Sequence, residues 1–128
     1  MIMNKNWMEA TQAGDCSRVV TLLEEGSDIN SLDKHGQTAL MNAAYRGDVK
    51  LVRVLVDHGA KLDHTAKYRL TALMLAVINN HKEIVEILVT AGADTQLKGS
   101  KGYFERTPLE YAEEQGKNDI ASILRGST

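Results

Sequence analysis

One hexapeptide recurs along the chain: Thr38-Ala39-Leu40-Met41-Asn42-Ala43, Thr71-Ala72-Leu73-Met74-Leu75-Ala76 and Thr107-Pro108-Leu109-Glu110-Tyr111-Ala112. The first interval is 33 residues and the second is 36. A unit of that size cannot bury its own apolar face. Repetition at this period therefore implies a stack in which neighbouring units share one core. Such a stack presents an extended surface for binding rather than a deep pocket for chemistry.

A second pattern runs in register with the first. Leu22 precedes Gly26, Leu55 precedes Gly59 and Leu88 precedes Gly92, while Leu124 closes the last unit. Gly14-Asp15, Gly47-Asp48, Asn80-His81 and Gly116-Lys117 each mark a break between two short helices. Gly and Asn accept the left-handed conformation that such a break needs, and a residue such as Asp48 can cap the helix after it. Thr38, Thr71 and Thr107 are natural helix N-caps, and Pro108 falls at a first helical position, where a missing N–H is harmless. The second helix of each pair carries an apolar stripe, Leu51, Val52, Leu55 and Val56, then Ile84, Val85, Leu88 and Val89. The first helix is short and carries small residues, Ala43-Ala44 and Ala76-Val77, that permit close approach.

The Thr-Ala/Pro-Leu-x-x-Ala hexapeptides, the Gly-Asp turns and Gly92-Ala93-Asp94 together resemble ankyrin repeats. The resemblance runs from about Asn4 to Arg125. It implies an all-α solenoid of eight helices in four antiparallel pairs, with hairpin-like loops and no extended sheet. The expected units are 4–32, 33–65, 66–98 and 99–126, in a single domain, 1–128, whose first and last units act as caps. It further implies that His81 caps its helix. In alignment, Arg18 and Thr21 stand where the second unit has Leu51 and Val54. Glu113 stands for Ala44 or Val77, and Arg125 for Val56 or Val89. Polar outer faces of this kind keep a solenoid from polymerising, so both ends are expected to be capped and the chain complete. Trp7 aligns with Leu40, Leu73 and Leu109 and is expected to cover the end of the core.

Charge and cysteine usage narrow the function. The net charge is −2 with both signs interspersed, which gives no footprint for nucleic acid or an anionic membrane. No apolar run approaches membrane-span length, and Met1-Ile2-Met3-Asn4-Lys5 lacks the apolar core of a signal peptide. One cysteine excludes an internal disulfide framework. The expectation is a cytoplasmic protein, monomeric when unbound, with no cofactor.

Candidate chemistry is sparse. Cys16 aligns with Val49 and is expected to be a small, partly buried filler rather than a nucleophile. His35, His58, His64 and His81 show no i, i+4 pair and no accompanying Cys, so no metal site is expected. The pairs Glu24-Glu25 and Glu113-Glu114 are adjacent on helices and do not face each other, as a general acid and base would have to. Gly99-Ser100-Lys101-Gly102 lacks the longer framework of a phosphate loop, and no Ser-His-Asp or Gly-x-Ser-x-Gly arrangement occurs. No enzyme activity is expected.

The resemblance also implies a binding surface, formed by loop tips and the exposed side of the shorter helices. Its positions here are Lys34, His35 and Gln37 with Tyr45 and Arg46. The next unit contributes Lys67, Tyr68 and Leu70 with Ile78 and Asn79. The last contributes Tyr103, Phe104 and Arg106 with Glu114 and Gln115. Tyr and Arg are enriched at binding hot spots, and core packing does not account for aromatic residues at loop tips. Tyr103 and Phe104 have a competing role, folding back to seal a last loop that is three residues longer than the others. Arg69 and Glu105 replace Gly36, so those two loops are expected to turn differently.

The function expected from these features is non-catalytic protein binding by Tyr and Leu anchors, with Lys34, Arg46, Lys67 and Arg106 steering acidic groups. Inhibitor, adaptor and immunity-type antagonist all fit it. The alternatives are an enzyme, or a small-molecule or metal binder on the same face, which would need convergent titratable groups. A scaffold without a natural target is a third, against which the irregular loops, Cys16 and five methionines argue.

Overall fold

The structure is a computed structural model that describes residues 2–100 and 104–126. Among these lie eight α-helices: α1 (Lys5–Ala13), α2 (Cys16–Glu24), α3 (Ala39–Arg46), α4 (Val49–Asp57), α5 (Ala72–Ile78), α6 (Lys82–Ala91), α7 (Pro108–Glu114) and α8 (Asn118–Arg125). Each odd-numbered helix pairs with the even-numbered one after it. The odd-numbered helices stack in one layer and the even-numbered in the other, which makes an all-α solenoid. The β structure among the described residues is one isolated bridge, which ties Ile2 to Leu32.

The threonines start their helices as their chemistry dictates. Thr38 accepts from Met41 N, Thr71 from Met74 N and Thr107 from Glu110 N, each satisfying an N–H with no partner inside its helix. At α7 the bond is reciprocal, because Thr107 N donates to Glu110 Oε1 at 2.9 Å. That main-chain bond holds the Glu110 carboxyl below the usual range. Asp15 and Asp48 cap α2 and α4 in the same way, and Asn4 caps α1.

His81 departs from expectation. It occupies the N-cap position of α6, but its side chain makes no capping bond. Nε2 instead lies 3.0 Å from the Tyr45 carbonyl oxygen in the preceding repeat. The ring can reach it because Gly47, at φ 83°, has no side chain. A Cβ there would lie 2.6 Å from His81 Cε1. Asn80 takes the same left-handed turn at φ 62°, and Lys117 Nζ of the following repeat hydrogen-bonds its Oδ1. The Gly47 and Asn80 turns are thus docking points for the repeat that follows.

The even-numbered helices bury their stripes as the spacing requires. Leu51, Val52 and Leu55 of α4 and Ile84, Val85 and Leu88 of α6 are all 0 % exposed. Full burial of such a side chain contributes roughly 1.5–3 kcal/mol. Trp7 is fully buried at the N-terminal end of the core, and Cys16 is a half-buried residue packed against it. At the other end, Glu113 and Arg125 are exposed and pair with each other at 3.0 Å. No helix among the described residues is long and apolar enough to cross a membrane.

Candidate functional site

The loop before α3 is shaped by one carboxylate. Asp33 Oδ1 accepts from His35 N at 2.8 Å and Gln37 N at 3.0 Å, and Oδ2 accepts from Asn42 Nδ2 at 3.0 Å. Burial pushes this carboxyl up, but the three hydrogen bonds outweigh it and hold it below its ordinary value. The turn closes through Gly36 N to Asp33 O, with Gly36 at φ 73°. His64, at the far end of the same repeat, donates through Nε2 to the Gly36 carbonyl oxygen, 3.1 Å away. Lys34 and His35 are exposed on this braced tip.

The following loop keeps the same pairing with different residues. Ala66 N donates to Leu70 O and Arg69 N to Ala66 O, as Asp33 N does to Gln37 O and Gly36 N to Asp33 O. Arg69 therefore adopts the left-handed conformation of Gly36, at φ 58°, where a different turn was expected. The difference lies one residue earlier. Tyr68 is also left-handed, at φ 62°, within a short 3-10 turn, Lys67–Arg69. Glu105 is not left-handed, so the last loop does turn differently.

These two loops bring together six residues that the sequence assigned to one surface. Lys34, His35, Gln37, Lys67, Tyr68 and Leu70 line a groove of about 500 Å³. Lys67 Nζ sits 5.1 Å from the centroid of the Tyr68 ring. Tyr68 is 43 % exposed, and on α3 Tyr45 is 53 % exposed. Asn79 Nδ2 and His81 Nε2 both bond the Tyr45 main-chain oxygen, so the backbone beneath that exposed ring is held from two sides.

The assignments of Phe104, Leu70, Ile78, Arg46 and Arg106 need correction. Phe104 is 3 % exposed and stacks on Tyr111 with centroids 4.9 Å apart, so its ring belongs to the core. Gly99 makes room for the Phe104 main chain and Cβ, since a Cβ there would lie 2.6 Å from Phe104 Cβ. Leu70 is buried at the groove rather than raised as an anchor, and Ile78 is half-buried against the core. Arg46 is engaged internally with the Thr11 carbonyl oxygen and Asp48, and Arg106 pairs with Glu114. Gln115 is exposed at the end of α7. Tyr103 lies outside the described residues, as do Lys101 and Gly102.

Two contributors were missed by inspection of the sequence, Asp33 as organiser of the first tip and Arg69 as an exposed cation beside the groove. An acidic residue five places before a helix-capping Thr was the available signal for Asp33. Three histidines are turned to main-chain carbonyls, His58 to Val54, His64 to Gly36 and His81 to Tyr45. Among the described residues no group of three or more His, Cys, Asp or Glu is placed to hold a metal ion. The carboxylates of Glu113 and Glu114 go to different arginines, Arg125 and Arg106.

A family model for ankyrin repeats, in three copies, matches residues 7–99. No curated protein gives a match to the chain.

Proposed function

This chain belongs to the ankyrin repeat family, and from that premise we propose that it is a non-catalytic module binding another protein through its loop tips and odd-numbered helices. Repeats of this family are generally protein–protein interaction modules. The observation that carries the assignment to this face is the exposure of Tyr45 and Tyr68. With Ile2 they are the large hydrophobic residues left exposed among the described residues, and both stand on supported backbone. An exposed ring on a rigid mount loses little conformational freedom when a partner covers it, which is what an anchor residue needs.

Lys34, His35, Gln37 and Lys67 complete the contact surface, with Asn79 at its margin. The four helix pairs act as one domain, in the cytoplasm and as a monomer until the partner binds. A mixed surface with net charge −2 favours a protein partner over nucleic acid or membrane. Binding by occupancy suits an inhibitor, an adaptor or an antagonist. The test is an affinity capture from the source lysate, with wild type beside a Tyr45→Ala/Tyr68→Ala double variant. A protein retained by the first and lost by the second is expected. Equal retention by both would place the interface elsewhere.

A further inference from the structure

We propose that the segment received by this face is acidic, with carboxylates held by Lys34, Lys67 and Arg69 at the tips of the two adjoining loops. This rests on the protein-binding assignment above and narrows it to one chemical class of partner.

The starting point is which cations remain available. Of the four basic residues that the sequence places on the face, two are engaged within the fold. Arg46 closes onto the Thr11 carbonyl oxygen and Asp48, and Arg106 pairs with Glu114. Lys34 and Lys67 are exposed, line the same groove and make no ion pair with any described residue. Arg69 is exposed beside them and makes none either. Within the two tips, residues 33–37 and 66–70, the acid is Asp33, and its oxygens are already taken by His35 N, Gln37 N and Asn42, while Asp28 and Asp63, earlier in the same loops, accept from Asn30 N and Asp94 N. A chain with net charge −2 thus concentrates positive charge at one edge.

That edge constrains what can cover it. A neutral or basic segment laid over the groove would strip water from two lysines and offer no counter-charge, which is costly. An acidic one supplies the counter-charge and is drawn in from a distance. The Lys67 ammonium is already held against the Tyr68 ring, so less of its freedom is lost on pairing. The exposed Tyr68 ring adds apolar contact beside the cations, which suits a segment mixing carboxylates with apolar side chains. Arg69 adds a separate indication. It stands at φ 58° where the preceding loop uses Gly36, so a guanidinium is kept at a position where backbone sterics favour glycine. A nucleic acid would need a longer basic track than three residues, and Glu105 and Glu110 lie exposed on the next repeat.

The experiment is selection of phage-displayed random peptides on the full chain, followed by fluorescence anisotropy with one selected peptide resynthesised and labelled. Enriched sequences should alternate Asp or Glu with apolar residues. A Lys34→Glu/Lys67→Glu/Arg69→Glu variant should bind the peptide at least about tenfold more weakly, and added salt should weaken the wild type in the same direction. A Lys50→Glu/Lys82→Glu variant, with charges reversed on the even-numbered helices, should bind as wild type does. Circular dichroism of each variant confirms that the fold is retained. Enriched peptides with no acidic bias that still lose binding to Tyr45→Ala/Tyr68→Ala would overturn this inference and leave the protein-binding assignment standing. Selection that enriches nothing, or peptides indifferent to both sets of substitutions, would count against both. Tighter binding of a single-stranded oligonucleotide, abolished by the triple reversal, would replace the acidic peptide with nucleic acid.

Discussion

Arg46 Nη2 donates to the main-chain oxygen of Thr11 across 2.8 Å, so the last residue of α3 closes the last turn of α1. The same guanidinium meets Asp48 Oδ2, on the N-cap of α4, at 3.3 Å. A cation is well placed there, because the final carbonyls of a helix carry partial negative charge and have no partner within it. The contact is an inter-repeat clasp built from a residue that sequence alone marked as a steering charge.

Removing that clasp should therefore be felt in stability before it is felt in binding. Arg46→Ala is expected to cost about 1 kcal/mol, below the usual range for a charged hydrogen bond, because the side chain is 36 % exposed and partly screened. Urea denaturation monitored by circular dichroism would measure it. An unchanged midpoint would show that the contact contributes nothing, and Arg46 would return to the set of steering charges.

Two glycines with nearly the same backbone separate sterics from conformation. Gly47 and Gly59 have φ values of 83° and 82°. A Cβ on Gly59 meets nothing within 4 Å, whereas one on Gly47 meets the His81 ring at 2.6 Å. Gly59→Ala should cost about 1 kcal/mol, from the left-handed backbone alone. Gly47→Ala should cost that and roughly 1 kcal/mol more, because His81 must swing away and give up its bond to Tyr45 O. Equal losses in parallel denaturation curves would mean that the His81 contact is not stabilising.

Acid should loosen the first loop through Asp33. Its carboxyl lies below the ordinary value of 3.8 in the folded chain, so the folded state binds the proton less well than the unfolded state does. The stabilisation is therefore complete above about pH 4 and fades as the pH falls through the lower folded value. Asp33→Ala should be less stable than wild type at neutral pH, with a gap that narrows below pH 4. A gap independent of pH would remove the carboxylate's charge from the account.

Much of the fold could be read directly from the residues, because its signals are local. A capping Thr, a left-handed Gly or Asn and an apolar stripe each act within a few residues of their own position. Asn80 takes the turn that Gly47 takes, and Leu51 and Ile84 are buried as their spacing demands. What escaped depends on contacts between repeats. His81 reaches Tyr45 in the previous repeat and Arg46 reaches Thr11, and neither contact follows from a period. Phe104 is the sharpest case. Three additional residues precede it, alignment no longer says which way its ring turns, and the ring lies in the core against Tyr111. Of the candidate surface, Tyr45, Tyr68, Lys34 and Lys67 are exposed as their place at loop tips and on the outer side of α3 implies.

The two layers should answer differently to truncation. Leu55 and Leu88 are 0 % exposed, so Leu55→Ala and Leu88→Ala should each cost about 2–5 kcal/mol. Tyr45 is half-exposed, so Tyr45→Ala should cost well under either. Comparable destabilisation in urea titrations would mean that the Tyr45 ring supports the stack, and would withdraw it from the binding face.

The binding face itself makes the most exposed claim. If Tyr45 and Tyr68 are anchors, replacing either by Ala should weaken the partner by about 2 kcal/mol or more, the range that marks a hot spot. The loss should appear chiefly as faster dissociation, since neither change alters the charge that governs encounter. Lys50 and Glu86 supply the control. Both are exposed on α4 and α6, in the other layer, and their replacement by Ala should leave the affinity unchanged. Calorimetric titration and association kinetics on the four variants separate the cases. Strong loss at Lys50 or Glu86, with none at Tyr45 or Tyr68, would move the interface to the even-numbered helices. The groove between the loops would then be a surface feature without a binding role.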